Sequence, residues 1–381
     1  MNATSELSEN AVRSGGEQAS SAQALEFCLR QLHSRLSPCF ARAEPRTRAL
    51  NYMFGLAGIS EKALKGRRNV ATYASEDRAD GAQRLLTTAR WDDAAVRQKL
   101  REIARSASTE LGDFYLTELT FAKKGNRAVA VDVQFSAEAG RAQNCQNAVA
   151  LLFVTPDKQA FLLDIELYLP PAWAEDEGLR RRGAIPPGVH HRSKSAIAAE
   201  MMSRAIASGF RPRRVYLSVS CTDKRRLLTL LQRHRMPYLT SLSVAEVSQL
   251  AEQDPEATLR DWPGFPLQGW AKPPEASPPL VVTHTPAAEN GTGRRHGAGY
   301  VRACARHPLS APEMDHAIAE LRRLEQRWRS VRHRAKLDRY EVRSWRGWHR
   351  HMTLAMAVQL AGELADAAEG ERAHPVLMDA G

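Results

Sequence analysis

The change of hydrophobic period near Phe114 constrains the fold of this chain more than any other feature. Before it, apolar residues recur at helical spacing; after it, apolar and β-branched residues come in short runs. The runs that predict strands cover residues 114–121, 127–135, 147–155, 159–167, 214–220 and 237–244, and those that predict helices cover residues 194–210 and 224–234. Four strands followed by helix, strand, helix and strand predict a mixed α/β sheet with helices packed on it.

The segments on either side of this core are predicted to be helical. Leucines recur at helical spacing from Leu25 to Leu36, a basic helix is predicted over residues 314–337, and a last apolar helix is predicted from about Met352. The predicted organisation is a disordered N-terminus (1–22), a helical N-terminal domain (23–110), the α/β core (111–245), a Pro- and Gly-rich insertion with little room for strands (246–310), C-terminal helices that complete the core (311–370) and a tail (371–381).

The charge balance favours a polyanionic partner. Lys and Arg number 54 against 43 Asp and Glu, a net charge of +11, and such an excess attracts nucleic acids, although solubility alone would explain it. The five cysteines include no Cys-x-x-Cys pair, so neither a zinc site nor a disulfide framework is predicted. We therefore expect a reducing, cytoplasmic and nucleoid-associated location. The polar N-terminus is unlike a signal peptide, and we expect no membrane partner.

Five strings in a fixed order carry a resemblance to a known family. They are GAQRLLTTARWD (81–92), KKG (123–125), QFSAEAGRAQNCQ (134–146), DIELYLPPAW (164–173) and LDRYEVRSWRGWHRHMTLAMA (337–357). Together they resemble the DDE superfamily endonucleases of bacterial insertion sequences. The resemblance implies a ribonuclease-H-like α/β fold, a mixed sheet flanked by helices, with an all-helical N-terminal DNA-binding region and a basic C-terminal helical segment. It also implies the chemistry of a transposase, which cleaves and transfers DNA strands.

The chain departs from the family pattern at the metal-binding carboxylates. The family holds two divalent ions with two aspartates and a glutamate, and the ions clamp the attacking and leaving oxygens of phosphoryl transfer. Counted from the matching strings, the two aspartates correspond to Thr117 and Ser218. The glutamate is kept as Glu325, and Arg332 replaces a family lysine. Because two hydroxyls stand where carboxylates are needed, we predict that the magnesium site is lost and expect no cofactor.

Other residues near the former site are weaker candidates. Glu118 points to the opposite face of its strand from Thr117, and Asp223 fits a helix N-cap. Asp164 falls within a matching string, where local structure explains it. Cys221 follows a predicted strand and is an alternative nucleophile, although no His–Asp pair accompanies it.

The segment of residues 321–351 holds most of the excess positive charge, with eleven Lys or Arg against three Asp or Glu. Arginine forks bind phosphate oxygens bidentately and tryptophans can stack on a base, so the segment predicts a groove for a nucleic-acid backbone. For the tryptophans, burial in the core is the commoner role. The predicted nucleic-acid contacts are Lys123, Lys124, Arg327, Arg332, Arg343, Arg346, Trp348 and Arg350. His349 and His351 lack partners at ligand spacing and are predicted to be surface residues.

Three hypotheses about function follow. The first is a transposase-derived protein, with a homodimer as a possible assembly, that binds DNA as a pseudoenzyme. The second is a transposase fold repurposed as an enzyme on a small-molecule substrate, whose altered active-site pocket would be lined by Ser218, Ser220, Cys221 and Glu325. The third is an active transposase whose metal site is displaced onto Asp164, Glu118 or Asp223.

Overall fold

The computed structural model describes residues 21–59, 76–109, 111–136, 139–218, 236–242, 281–285, 299–304 and 311–373, together with residues 227, 228, 231 and 234. Most of the predicted N-terminal tail, insertion and C-terminal tail falls outside these residues. Ser220, Cys221 and Asp223 also lie outside the described residues.

Helices precede the sheet, as the leucine spacing predicted. They are α1 over residues 21–36, α2 (Ala43–Ala57), α3 (Glu76–Thr87) and α4 (Asp93–Ala107), with a 3-10 turn (Ser37–Cys39) after the first. Leu29, Leu32 and Leu36 are buried along one face of α1. α4 begins where the carboxylate of Asp92 accepts a hydrogen bond from the backbone N–H of Ala94 at 2.9 Å, an N-cap that satisfies an otherwise unpaired donor.

A mixed sheet forms the centre of the described structure. Its strands are β1 (Leu111–Ala122), β2 (Asp132–Ser136), β3 (Arg141–Val154), β4 (Ala160–Leu167), β5 (Arg211–Leu217), β6 (Tyr238–Leu242), β7 (Val281–Thr285) and β8 (Gly299–Cys304). The order is β2–β3–β1–β5–β6–β8–β7, and β4 also pairs with β3. β1 is antiparallel to β3 but parallel to β5, and β5 is parallel to β6. An antiparallel meander continued by parallel strands confirms the expected ribonuclease-H-like sheet.

Three helices connect β4 to β5. They are α5 (Pro171–Glu175), α6 (Glu177–Gly183) and α7 (Lys194–Ala207). The hydroxyl of Ser193 caps α7 by accepting from the backbone N–H of Ala196 at 3.2 Å. Ile197 and Met201 bury the predicted apolar face of α7, which contacts β3 and β4. This crossover places β5 beside β1 in a parallel pair.

β7 lies within the Pro- and Gly-rich stretch that was predicted to have little room for strands, so that prediction was wrong, and β8 follows directly after the stretch. β8 pairs antiparallel with β6, and β7 pairs antiparallel with β8. Both runs contain the β-branched residues typical of strands, but the dense prolines and glycines around them outweighed this signal in the sequence. The pairing extends the sheet beyond β6.

Two long helices follow the sheet, α8 (Ala311–Arg334) and α9 (Trp345–Ala373). α9 begins at Trp345 rather than near Met352, because the hydroxyl of Ser344 accepts from the backbone N–H of Gly347 at 3.2 Å and caps the helix. α9 contacts α2, α3 and α4 as well as β4, so it joins the N-terminal helices to the sheet. Within the described residues, no helix combines the length and apolar character needed to cross a membrane.

α9 also covers the outer edge of β4. The side-chain carbonyl of Gln359 accepts from the backbone N–H of Leu162 at 3.0 Å, and the carboxylate of Glu363 accepts from that of Ala160 at 3.0 Å. Both side chains are buried. These contacts satisfy backbone groups that an edge strand would otherwise offer to another chain.

Candidate functional site

Thr117 and Ser218 lie side by side in the centre of the sheet. Leu116 of β1 is opposite Leu217 of β5, and the backbone N–H of Ser218 donates to the carbonyl of Leu116 at 3.0 Å. Ser218 therefore neighbours Thr117 on the adjacent parallel strand, about 4.8 Å away. Both residues are buried, since Thr117 is 1% exposed and Ser218 is 4% exposed. The two positions that the resemblance assigns to aspartates thus converge in space.

α8 runs alongside β1 in the same direction. Glu320, in the first half of the helix, acts electrostatically on Asp113 at the start of β1, although burial contributes more to raising the pKa of that carboxyl. Further along, the guanidinium of Arg332 donates to the backbone carbonyl of Thr120 at 3.3 Å. The hydrogen bond from Arg332 places the C-terminal part of α8 beside the end of β1.

Helix geometry then places Glu325. Arg332 follows it by about two helical turns, so both side chains leave the same face of α8, about 10 Å apart along the axis. The same distance along a strand is about three residues, and counting back from Thr120 puts Glu325 level with Thr117. Oε1 of Glu325 is buried. The helix repeat therefore predicts that Glu325 faces the side of β1 on which Thr117 lies.

Glu118 lies on the opposite face of the sheet from Thr117. The ring of Phe121 packs against Trp348 of α9 with centroids 6.4 Å apart, which puts Phe121 and Thr117 on the side of α8 and α9. Glu118 instead pairs with Lys194 at the start of α7, with Oε2 2.6 Å from Nζ. Glu118 cannot therefore replace a ligand beside Thr117.

Asp164 and Glu166 are held by arginines of α4, α7 and the segment before α7. A guanidinium nitrogen of Arg204 lies 2.8 Å from Oδ2 of Asp164, and one of Arg101 lies 3.5 Å from the same oxygen. Glu166 pairs with Arg192 at 2.6 Å and with Arg204. Burial acts to raise the pKa of Glu166, but these arginines lower it below its usual value. The cluster connects β4 to its neighbouring helices and supplies no ligand near Glu325.

A cavity of about 530 Å³ also lies on the α7 side of the sheet. Its apolar walls include Phe114, Met202 and Met236, and strand alternation places Phe114 on the opposite face of β1 from Thr117. The cavity is therefore separate from Thr117 and Ser218 and does not support a small-molecule enzyme built on them.

Part of the basic C-terminal segment is neutralised within the protein. A guanidinium nitrogen of Arg327 lies 2.8 Å from Oε2 of Glu363, and one of Arg334 lies 2.6 Å from Oδ2 of Asp366. Both acids belong to α9, so these pairs hold α8 against it. Arg327 therefore has a packing role, and its predicted contact with a nucleic acid stays a prediction.

Trp348 and Arg350 are internal, so the prediction that they contact a nucleic acid was wrong. Their exposed fractions are 0% and 2%. Arg350 donates to the carbonyls of Leu85 and Trp91 at 3.2 and 2.9 Å, and burial lowers its pKa to about 10. Both residues hold α9 against its neighbours.

His349 and His351 are also buried, which corrects the prediction of surface histidines. Nδ1 of His351 lies 2.7 Å from the hydroxyl of Tyr52 in α2, and Nδ1 of His349 lies 2.9 Å from the carbonyl of Trp345. Burial lowers the pKa of each histidine to about 4. Both are therefore neutral at physiological pH and serve the packing of α9.

The other predicted contacts surround the end of β1. Lys123 is half-buried with Nζ 4.1 Å from the ring centroid of Tyr340, and burial lowers its pKa. The guanidinium of Arg332 lies 5.8 Å from the ring centroid of Phe121. The exposed members of the predicted set are Lys124, Arg343 and Arg346. These three form the accessible part of the candidate nucleic-acid interface.

A family model matches most of the chain. It is described as DDE superfamily endonuclease and matches residues 35–296. A search of curated proteins found no match. The matched range includes Thr117 and Ser218 but ends before α8, so the correspondence of Glu325 rests on the sequence count and on the geometry given above.

Proposed function

The chain belongs to the DDE superfamily endonuclease family, and from this premise we propose that it is a transposase-derived protein that binds DNA but does not cut it. The observation that carries the proposal is the donor set beside β1. Thr117 and Ser218 offer neutral hydroxyls in a buried setting, and among the residues that the structure describes Glu325 is the carboxylate we assign to this side of the sheet.

This donor set does not fit the two divalent ions of the family's chemistry. Such ions clamp both the attacking and the leaving oxygen, and magnesium relies on carboxylates and substrate phosphates as charged ligands. Glu325 contributes one negative charge, and the carboxylates of Glu118 and Asp164 pair with cations on the opposite face. We therefore assign no metal-dependent step to this chain.

DNA binding is supported by exposed cations near the same region. Lys124 follows β1, while Arg343 and Arg346 flank the start of α9. The first turn of α9 contains no acidic residue, and the N-terminus of a helix attracts anions. The net charge of +11 also favours DNA binding, because cations that neutralise phosphates release the counterions bound to the DNA.

The test combines binding and cleavage on DNA that carries terminal inverted repeats of the kind found in insertion sequences. We expect retarded complexes in a gel-shift assay and no nicks with Mg²⁺ or Mn²⁺. A triple variant, Lys124→Ala, Arg343→Ala and Arg346→Ala, should bind more weakly, whereas Arg322→Ala, at an exposed cation of α8, is the matched control. Nicks that depend on a divalent ion would contradict the proposal, as would the absence of DNA binding.

A further inference from the structure

The end of α6, the loop after β1 and the segment before α9 form one continuous surface. A guanidinium nitrogen of Arg182 donates to the carbonyl of Asn126 at 3.1 Å. Next to it, a Cβ added at Gly183 would meet a methyl carbon of Val129 at 2.7 Å, so α6 packs closely on this loop. The backbone N–H of Val129 in turn donates to the carbonyl of Arg343 at 2.8 Å. Three segments distant in sequence are thus in direct contact.

This surface is basic and open to solvent. Its exposed cations are Lys124, Arg127, Arg182, Arg343 and Arg346. Among the residues that the structure describes, none of these five side chains forms an ion pair with a carboxylate. The neighbouring Arg181 differs, since it lies 3.3 Å from Glu177 in an exposed pair along α6. Unneutralised cations spread over three segments suit an extended polyanion better than a single phosphate group.

We propose that Arg127 and Arg182 bind phosphates of the same DNA duplex that Lys124, Arg343 and Arg346 contact. The proposal rests on the function given above and extends its interface to two residues outside the matching strings. The guanidinium of Arg182 lies 5.1 Å from the ring centroid of Trp173. This contact orients the guanidinium, whose two N–H groups can then donate to two oxygens of one phosphate. Contacts of this kind position a duplex without reading its sequence.

The salt dependence of duplex binding tests the proposal. The slope of log K against log[salt] is negative, and each lost phosphate contact reduces its magnitude by about 0.9. Arg127→Ala and Arg182→Ala should each show this reduction, equally for specific and unrelated duplexes. Arg181→Ala is the matched control on the same helix and should keep the parental slope. Because Arg182 also packs on Trp173, Arg127→Ala provides the measurement that is independent of that packing.

The possible outcomes separate this proposal from the proposed function. Unchanged slopes for Arg127→Ala and Arg182→Ala, together with a reduced slope for Arg343→Ala, would overturn the extension while DNA binding stands. Failure of the full-length chain to bind any duplex would overturn both. Tighter binding of double-stranded RNA than of DNA of the same sequence would also overturn the assignment of a DNA duplex as the partner.

Discussion

Aspartates introduced at both hydroxyl positions should create an ion site, and strand geometry gives the size of the effect. In the double variant Thr117→Asp, Ser218→Asp, two carboxylates leave adjacent strands on one face of the sheet, the face on which we expect Glu325. Two like charges about 5 Å apart repel by about 3 kcal/mol at an effective dielectric constant of about 20. Without a divalent ion, the double variant should therefore lose about 3 kcal/mol of its free energy of unfolding.

Thermal unfolding with and without Mn²⁺ measures this effect. At roughly 2 °C per kcal/mol, the double variant without ions should unfold about 6 °C below the unaltered chain. An ion at one hundred times its dissociation constant contributes about 2.7 kcal/mol, so Mn²⁺ should restore most of the difference. The matched control is the variant Thr117→Asn, Ser218→Asn, which has a similar shape without charge and should not respond.

Two results would refute this reasoning. If Mn²⁺ raised the unfolding temperature of the unaltered chain as much as that of the double variant, an ion site would exist without the two aspartates. If the double variant folded but ignored Mn²⁺, residues 117 and 218 would not face a common site with Glu325.

Three further perturbations test the packing around the site. Gly112→Ala should destabilise the protein by about 1–3 kcal/mol in chemical denaturation, because its Cβ would lie 2.4 Å from Cζ of Phe153; an unchanged midpoint would contradict this contact. Stability should fall as the pH drops from 6.5 to about 4, since the unfolded chain protonates His351 at its ordinary pKa while burial delays protonation of the folded protein. His351→Phe should reduce that pH dependence by up to about 3 kcal/mol, and an unaltered profile would argue against it. Lys194→Met should cost about 3–5 kcal/mol because it removes the cation beside the buried carboxylate of Glu118, and adding Glu118→Gln should recover part of the loss.

The sheet and α7 could be predicted because their signals are local. Alternation along β1 and the apolar face of α7 depend only on nearby residues, and both elements were predicted within a few positions. β2 shows where this reasoning ends. The apolar run begins at residue 127, but the strand begins at Asp132, because the backbone N–H of Val129 bonds to Arg343 rather than to a neighbouring strand. That partner is distant in sequence and no local pattern indicates it.

The positions of the candidate site could be predicted from the sequence. Whether each charged side chain is buried, paired or exposed could not. Counting from the matching strings identified Thr117 and Ser218, which the sheet register places side by side. A charge count could not show that Arg327 is neutralised by Glu363, since the acid lies on another helix. Nor could it show that Lys194 holds Glu118. Burial and pairing come from tertiary contacts, so the accessible part of the basic segment emerges only from the fold.

The cover that α9 places over β4 has a consequence for solubility. A chain truncated before Gln359 would leave the backbone N–H groups of Ala160 and Leu162 open at the margin of the sheet. On the same side of β3, Val133 and Phe135 of β2 are already 69% and 52% exposed. The shortened protein should therefore aggregate through strand addition before it unfolds. We therefore expect the last helix to protect the fold against self-association.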